Sequence, residues 1–171
     1  EPEIRPSQLE EETGERRPEQ VVMELSRQKA EDIAAGCGTG TMVIGADTVV
    51  AVGNEILGKP GTPMRAYEMI GKLQGRTHQV YTGVTLAEVK AGRIVRAETF
   101  SSCTCVTVCP MTDEEIAEYA RSGEPLDKAG AYGIQGQFAA YIERIDGDYY
   151  NVVGLPVSYV YRQLKEIAEK D

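Results

Sequence analysis

One carboxylate interrupts the most apolar stretch of the chain, and its position suggests chemistry. Asp47 lies within the run MVIGADTVVAV, whose Val and Ile content is typical of a buried strand. Burying a carboxylate is costly unless it is paired, hydrogen-bonded or bound to a cation. We therefore expect the fold to compensate the charge of Asp47, which has the hydroxyl of Thr48 beside it.

The sequence predicts a hairpin that begins with this strand and ends near a lysine. Gly53-Asn54 is a strong turn signal, and the second arm runs to Lys59. If the two arms pair, Asp47 and Lys59 lie at the same end of the hairpin. The pattern fits equally well a structural Asp47 that caps a neighbouring turn, with Lys59 in solvent.

The segment EPLDKAGAYGIQG, residues 124–136, fits neither helical nor strand periodicity. Its three glycines surround Asp127, Lys128, Tyr132 and Gln135. Glycines let the backbone approach a ligand closely and expose N–H donors, which suits a phosphate or the edge of a base. Plain connecting loops have the same composition, so both interpretations stay open at this point.

The composition limits the class of function. A length of 171 residues fits one domain, and a formal net charge of −9 argues against binding to a nucleic-acid backbone. No apolar run approaches the roughly 20 residues that a membrane-spanning helix needs, so we expect no membrane partner. The four cysteines have the spacing of neither a metal site nor an unstrained disulfide. They predict small buried thiols in a reducing cytoplasm.

Periodicity and capping signals predict an α/β fold in which helices flank a mixed, largely antiparallel sheet. A helix begins at Pro18 and ends before Gly36, and nothing in its periodicity distinguishes Lys29 from a solvated residue. The further predicted elements are a helix from 62 to 74, strands at 78–89 and 93–108, a helix at 112–121, a short strand at 139–145, a turn at 147–151 and a terminal helix from 156.

Five motifs follow one another in order: ADTVV, LGKP, HQVYTGV, EPLDKAGAYGIQG and GDYYNVVGLP. In this order they resemble the Maf family, also called septum formation inhibitors, whose members are nucleoside triphosphate pyrophosphatases. The resemblance extends from about Leu9 to the C-terminus. It implies a two-lobed, ITPase-like fold with a nucleotide in a central cleft. It also implies a cytoplasmic house-cleaning enzyme, a homodimer, which uses a divalent cation, Mg²⁺ or Mn²⁺.

The resemblance also assigns roles to individual residues. Asp47 matches the family's proton acceptor, although a carboxylate at this position could instead hold the metal. Lys59 and Gln135 match positions implicated in catalysis or in substrate choice. The form ADTVV favours the branch that acts on dTTP and UTP over the sister branch that acts on 7-methyl-GTP. The remaining residues expected to contact the substrate are Glu12, Lys29, Thr48, Asp127 and Lys128.

The N-terminal region departs from the family pattern. Members begin with a strand and a Ser-x-Ser-Pro-Arg-Arg-like loop, and nothing similar precedes Glu12. We therefore expect a single Maf-like domain over residues 1–171 that lacks this strand and phosphate loop and turns over its substrate poorly.

A second class of function is a non-enzymatic regulator, which would bind a nucleotide or a division protein and delay septation. Asp47 discriminates between the two classes. An enzyme needs that carboxylate, whereas a simple binder of polyanions would gain from its removal.

Overall fold

A computed structural model describes residues 2–7, 13–14, 17–53 and 55–169. The strands are β1 (Thr41–Val52), β2 (Glu55–Leu57), β3 (Thr77–Lys90), β4 (Arg93–Val108) and β5 (Ile142–Asp146). The helices are α1 (Pro18–Ala34), α2 (Pro63–Leu73), α3 (Asp113–Arg121), α4 (Tyr149–Val153) and α5 (Val157–Ala168). The strands form one antiparallel sheet in the order β2-β1-β3-β4-β5.

Helix α1 packs closely on one face of the sheet because two glycines leave room for its backbone. A Cβ atom at Gly83 would overlap the carbonyl of Val22, and one at Gly45 would overlap the carbonyl of Ser26. Alternate residues of a strand point to the same face, so Asp47 also faces α1. Asp47 and Gly83 are register partners across β1 and β3. The close approach of α1 is therefore centred on the strand position that carries the carboxylate.

The opposite face of the sheet is covered in two parts. At one end, α5 packs Val160 and Ile167 onto Val84 and Leu86. At the other end lies the largest hydrophobic cluster, in which α2, α3 and the segment after α3 cover the sheet. Its fully buried members include Ile70, Leu73, Val80, Val106, Val108 and Phe138.

Strand β1 has an open edge. Because β2 pairs only with residues 50–52, no strand among the described residues lies beside the outer edge of β1 from Thr41 to Val49. An open edge can leave side chains from both faces of a strand accessible to a ligand. Asp47 and Thr48, which point to opposite faces, both lie on this stretch.

The mixed α/β fold predicted from the sequence is confirmed. The hairpin pairs as expected, with Val50 opposite Leu57. Helix α1 begins at the predicted proline, Thr62 caps α2, and Thr112 forms a capping box with Glu115 at the start of α3.

In the C-terminal third, the predicted short strand is confirmed with different bounds, and the predicted turn is wrong. The strand expected at 139–145 begins only at Ile142, because residues 137–141 form a 3₁₀ turn. The turn expected at 147–151 contains the start of α4, whose first turn is capped by Asp148 accepting a hydrogen bond from the Tyr150 N–H at 2.8 Å.

The prediction of buried cysteines is also wrong. All four thiols are free, Cys103 is exposed, and the other three are half-buried. Cys103 lies on the face that α1 covers, but the hydrophobic cluster of Val21, Val22 and Leu25 of α1 includes Val49 and Tyr81 of β1 and β3 and no described residue of β4.

No helix in the described part of the chain is both long enough and apolar enough to cross a membrane.

Candidate active site

A cleft of about 1000 Å³ borders the open edge of β1. Residues 46–50 of β1 form its floor, and α1, the end of β2, the segment 124–136 and α4 form its walls. A cleft of this size can hold a nucleotide. It is lined by all seven predicted site residues that the structure describes, namely Lys29, Asp47, Thr48, Lys59, Asp127, Lys128 and Gln135. The eighth, Glu12, lies outside the described residues.

The charge of the buried carboxylate is compensated by α1. Lys29 Nζ lies 2.6 Å from Asp47 Oδ1, and the two side chains are 27% and 9% exposed. Sequence periodicity did not distinguish Lys29 from a solvated residue, because the pairing depends on how closely α1 packs on the sheet. The pair holds a carboxylate in a fixed orientation at the cleft, where it can accept a proton or contact a cation.

Thr48 is held from the other face of the sheet by a chain of hydroxyl groups. Thr82 Oγ1 donates to the carbonyl of Asn151 at 2.8 Å and lies 2.9 Å from Thr48 Oγ1. Since a hydroxyl has only one hydrogen, Thr48 must be the donor in its contact with Thr82. Its remaining hydrogen-bonding capacity is as an acceptor, so within the cleft it suits a ligand N–H or O–H rather than a phosphate oxygen.

The end of β2 and the segment 124–136 add further lysines and carboxylates to the lining of the cleft. Lys128 Nζ lies 2.7 Å from Asp127 Oδ1, and the two side chains are 44% and 75% exposed. The hydrogen bond from Lys128, with the charges of Lys128 and Lys59, lowers the pKa of Asp127. Lys59 has no hydrogen bond or ion pair with another described side chain. Its ammonium group is therefore available to a ligand anion in the cleft.

Gln135 lies near the end of a turn in the glycine-rich segment. The N–H of Gly136 donates to the carbonyl of Gly133 at 3.1 Å, so the turn spans residues 133–136. Gln135 is exposed and lines the cleft.

Sequence reasoning missed Glu124, a further carboxylate that lines the cleft. The signal that could have found it is its place at the start of the same glycine-rich motif.

Sequence reasoning also missed a buried polar pair behind the cleft wall. His78 is fully buried, and its Nε2 lies 2.7 Å from the hydroxyl of Tyr132, which lines the cleft. Burial lowers the pKa of His78 to about 4, so the imidazole is neutral at neutral pH.

The donor groups for a metal are few. In the described part of the chain, no three His, Cys, Asp or Glu side chains come together in a way that could hold a metal ion. The carboxylates that line the cleft fit a cation such as Mg²⁺, which binds through one or two carboxylates together with the phosphates of a substrate and water.

Comparison with known proteins identifies the family. Residues 1–167 match the family of Maf-like proteins. The chain belongs to the Maf family. This Maf protein is 51% identical to the dTTP/UTP pyrophosphatase of Lachnoclostridium phytofermentans, over 94% of this chain and 81% of that protein.

Other relatives carry the same name. The dTTP/UTP pyrophosphatase of Carboxydothermus hydrogenoformans is 50% identical over 96% of this chain and 86% of its own length. The dTTP/UTP pyrophosphatase of Bacillus cereus is 46% identical over 87% of this chain and 75% of its own length. The resemblance drawn from the five motifs is thus confirmed at the level of the family.

Proposed function

We propose that this Maf protein is a nucleoside triphosphate pyrophosphatase that hydrolyses dTTP and UTP to the monophosphate and pyrophosphate. The observation that carries the proposal is the Lys29–Asp47 pair at the floor of a nucleotide-sized cleft. The printed names of relatives at 46–51% identity support the choice of substrate.

In the proposed reaction, a water molecule attacks the α-phosphorus and Asp47 accepts its proton. The bond between the α-phosphorus and the bridging oxygen then breaks, and pyrophosphate leaves with the electron pair. Lys29 keeps the Asp47 carboxylate in place. Lys59 and Lys128 neutralise charge on the phosphates, and this kind of preorganised electrostatic stabilisation is commonly the largest contribution to catalysis.

Thr48 and Gln135 are the proposed contacts to the nucleoside. Thymine and uracil share an N3–H donor, which cytosine lacks, and the acceptor character of Thr48 in the cleft suits such a donor. The Gln135 amide can both donate and accept, as recognition of the edge of a base requires.

We further propose that a divalent cation accompanies the nucleotide. We assign Asp47 to it as the protein ligand, with the remaining ligands supplied by phosphates and water. The cation would neutralise the polyphosphate chain. A requirement for added Mg²⁺ or Mn²⁺, lost with a chelator, is the expected result.

The function is tested by pyrophosphate release from dTTP, UTP, CTP and 7-methyl-GTP, each with Mg²⁺ or Mn²⁺. We expect turnover of dTTP and UTP, and Asp47→Asn should reduce kcat roughly 10²–10⁴-fold, the usual contribution of a general base. The control is Asp146→Asn, which removes the same charge from an exposed position on β5 outside the cleft.

The outcomes separate the alternatives. Turnover confined to 7-methyl-GTP would assign the chain to the sister branch. If Asp47→Asn retained full turnover, Asp47 would not be the base. If the wild type bound dTTP tightly without releasing pyrophosphate, a non-enzymatic regulator of septum formation would be favoured.

A homodimer and a cytoplasmic location are proposed from the family resemblance. Light scattering of the purified protein tests the first, and cell fractionation tests the second.

A further inference from the structure

We propose that Glu124 is a positioning residue that holds Gln135 in the orientation from which it contacts the nucleotide. The inference rests on the proposed function, because Gln135 is one of the substrate contacts proposed there. It concerns a carboxylate that the proposed mechanism does not use.

The carboxylate of Glu124 connects the segment that follows Gln135 to helix α3. On the far side of the turn, the Gln137 backbone N–H donates to Glu124 Oε2 at 3.0 Å. On helix α3, the Tyr119 hydroxyl donates to Glu124 Oε1 at 3.2 Å. The backbone that follows Gln135 is therefore held against α3 through one carboxylate.

The Tyr119 connection is itself rigid. Tyr119 is buried, and its ring packs against Phe138 with the centroids 5.0 Å apart. Burial, with the nearby charge of Glu124, raises the pKa of Tyr119, so its hydroxyl stays protonated and remains a donor.

Close packing at Gly136 adds a third constraint. A Cβ atom at this position would overlap the Glu124 carboxylate. The backbone of the turn thus lies directly against the group that anchors it, and a side chain at Gly136 would have to displace that group.

The same contacts explain why a carboxylate is tolerated in a cleft for a polyanion. An acid facing the phosphates would repel them. Both oxygens of Glu124 instead accept hydrogen bonds from the protein, one from a backbone amide and one from a buried phenol. Hydrogen bonds to a charged acceptor are about twice as strong as those between neutral groups, which suits an anchor.

The test is a double-mutant cycle with Glu124→Ala and Gln135→Ala, read as kcat/KM for dTTP, UTP and CTP. If Glu124 acts through Gln135, each single variant should lose roughly tenfold on dTTP and UTP, because residues in one network are strongly coupled. The double variant should then be no worse than Gln135→Ala alone, within about twofold. Losses that multiply in the double variant would overturn the proposal.

Glu124→Gln is the matched control for shape. Its amide oxygen can still accept from the Gln137 N–H, and its size is unchanged, so kcat/KM should recover most of the loss seen with alanine. Circular dichroism at the assay temperature checks that each variant is folded. A loss for Glu124→Ala that merely follows its unfolded fraction would identify a structural role and overturn the proposal.

Hydrogen exchange provides a readout that does not depend on activity. The amide of Gln137 should exchange faster in Glu124→Ala than in the wild type, and Glu124→Gln should retain protection at Gln137. Unchanged exchange in Glu124→Ala would overturn the anchoring role. A wild type without pyrophosphatase activity would instead count against the proposed function, so the two failures are distinguishable.

Discussion

The direction of one hydroxyl hydrogen defines what Thr48 can offer a ligand. Its hydrogen is committed to Thr82, whose own hydrogen goes to the carbonyl of Asn151. Thr82→Val should release the hydrogen of Thr48 to point into the cleft. We expect the preference for UTP over CTP, as a ratio of kcat/KM values, to fall roughly fivefold, the worth of one hydrogen bond of about 1 kcal/mol.

A second pair of threonines provides the control for this substitution. Thr77 and Thr107 form the same kind of cross-strand hydroxyl contact, at 2.9 Å, outside the cleft. Thr107→Val should leave the UTP to CTP ratio unchanged. An equal change in both variants would show that the effect is general to the sheet and not specific to Thr48.

Single residues differ in how far the sequence reveals their role. The cost of burying a carboxylate identified Asp47, since any fold containing it must supply a partner. Lys29 could not be identified as that partner, because the contact depends on the packing of α1 against β1. Glu124 was missed for a similar reason, since its two hydrogen-bond donors come from α3 and from the far side of a turn.

At the scale of elements, the distance between α1 and the sheet positions Lys29 over Asp47. Gly83→Ala would force the Val22 carbonyl and the rest of α1 away from β3. We expect a loss of about 1–3 kcal/mol in the free energy of unfolding, typical of overpacking, together with a lower kcat. Urea denaturation and pyrophosphate release measure the two effects.

Gly71→Ala is the matched control, because an added Cβ on the exposed face of α2 meets no atom within 4 Å. Removing a helical glycine should raise the free energy of unfolding by about 0.5–1 kcal/mol and leave kcat unchanged. If Gly83→Ala behaved in the same way, the close approach of α1 would not be needed for the site.

The elements themselves were predictable where local signals define them. Proline and threonine at helix starts, and long alternating runs on β3 and β4, do not depend on distant contacts. Strand β5 and helix α4 are five residues each, and their limits depend on contacts with β4. One such contact is the hydrogen bond, at 3.1 Å, from Thr104 Oγ1 to the carbonyl of Asp148. Periodicity in so short a segment cannot reveal the limits of β5 and α4.

For the molecule as a whole, one buried imidazole makes stability depend on pH. His78 has a pKa of about 4 in the folded protein, against 6.5 for a solvated imidazole, because burial disfavours its charged form. Its Nδ1 has no hydrogen-bond partner among the described residues, so a second proton would sit on the ring without an acceptor. The unfolded chain therefore binds more protons than the folded one between these two pKa values.

The stability contributed by neutral His78 is therefore complete above pH 6.5 and is lost as the pH falls towards 4. At pH 5 we expect His78 to account for a loss of about 2 kcal/mol in the free energy of unfolding relative to neutral pH. Urea denaturation of the wild type and of His78→Gln at both pH values measures it. The variant retains every titrating carboxylate, so the difference between the two proteins isolates the imidazole. Parallel pH profiles would mean that protonated His78 is accommodated in the fold and that its burial does not control acid stability.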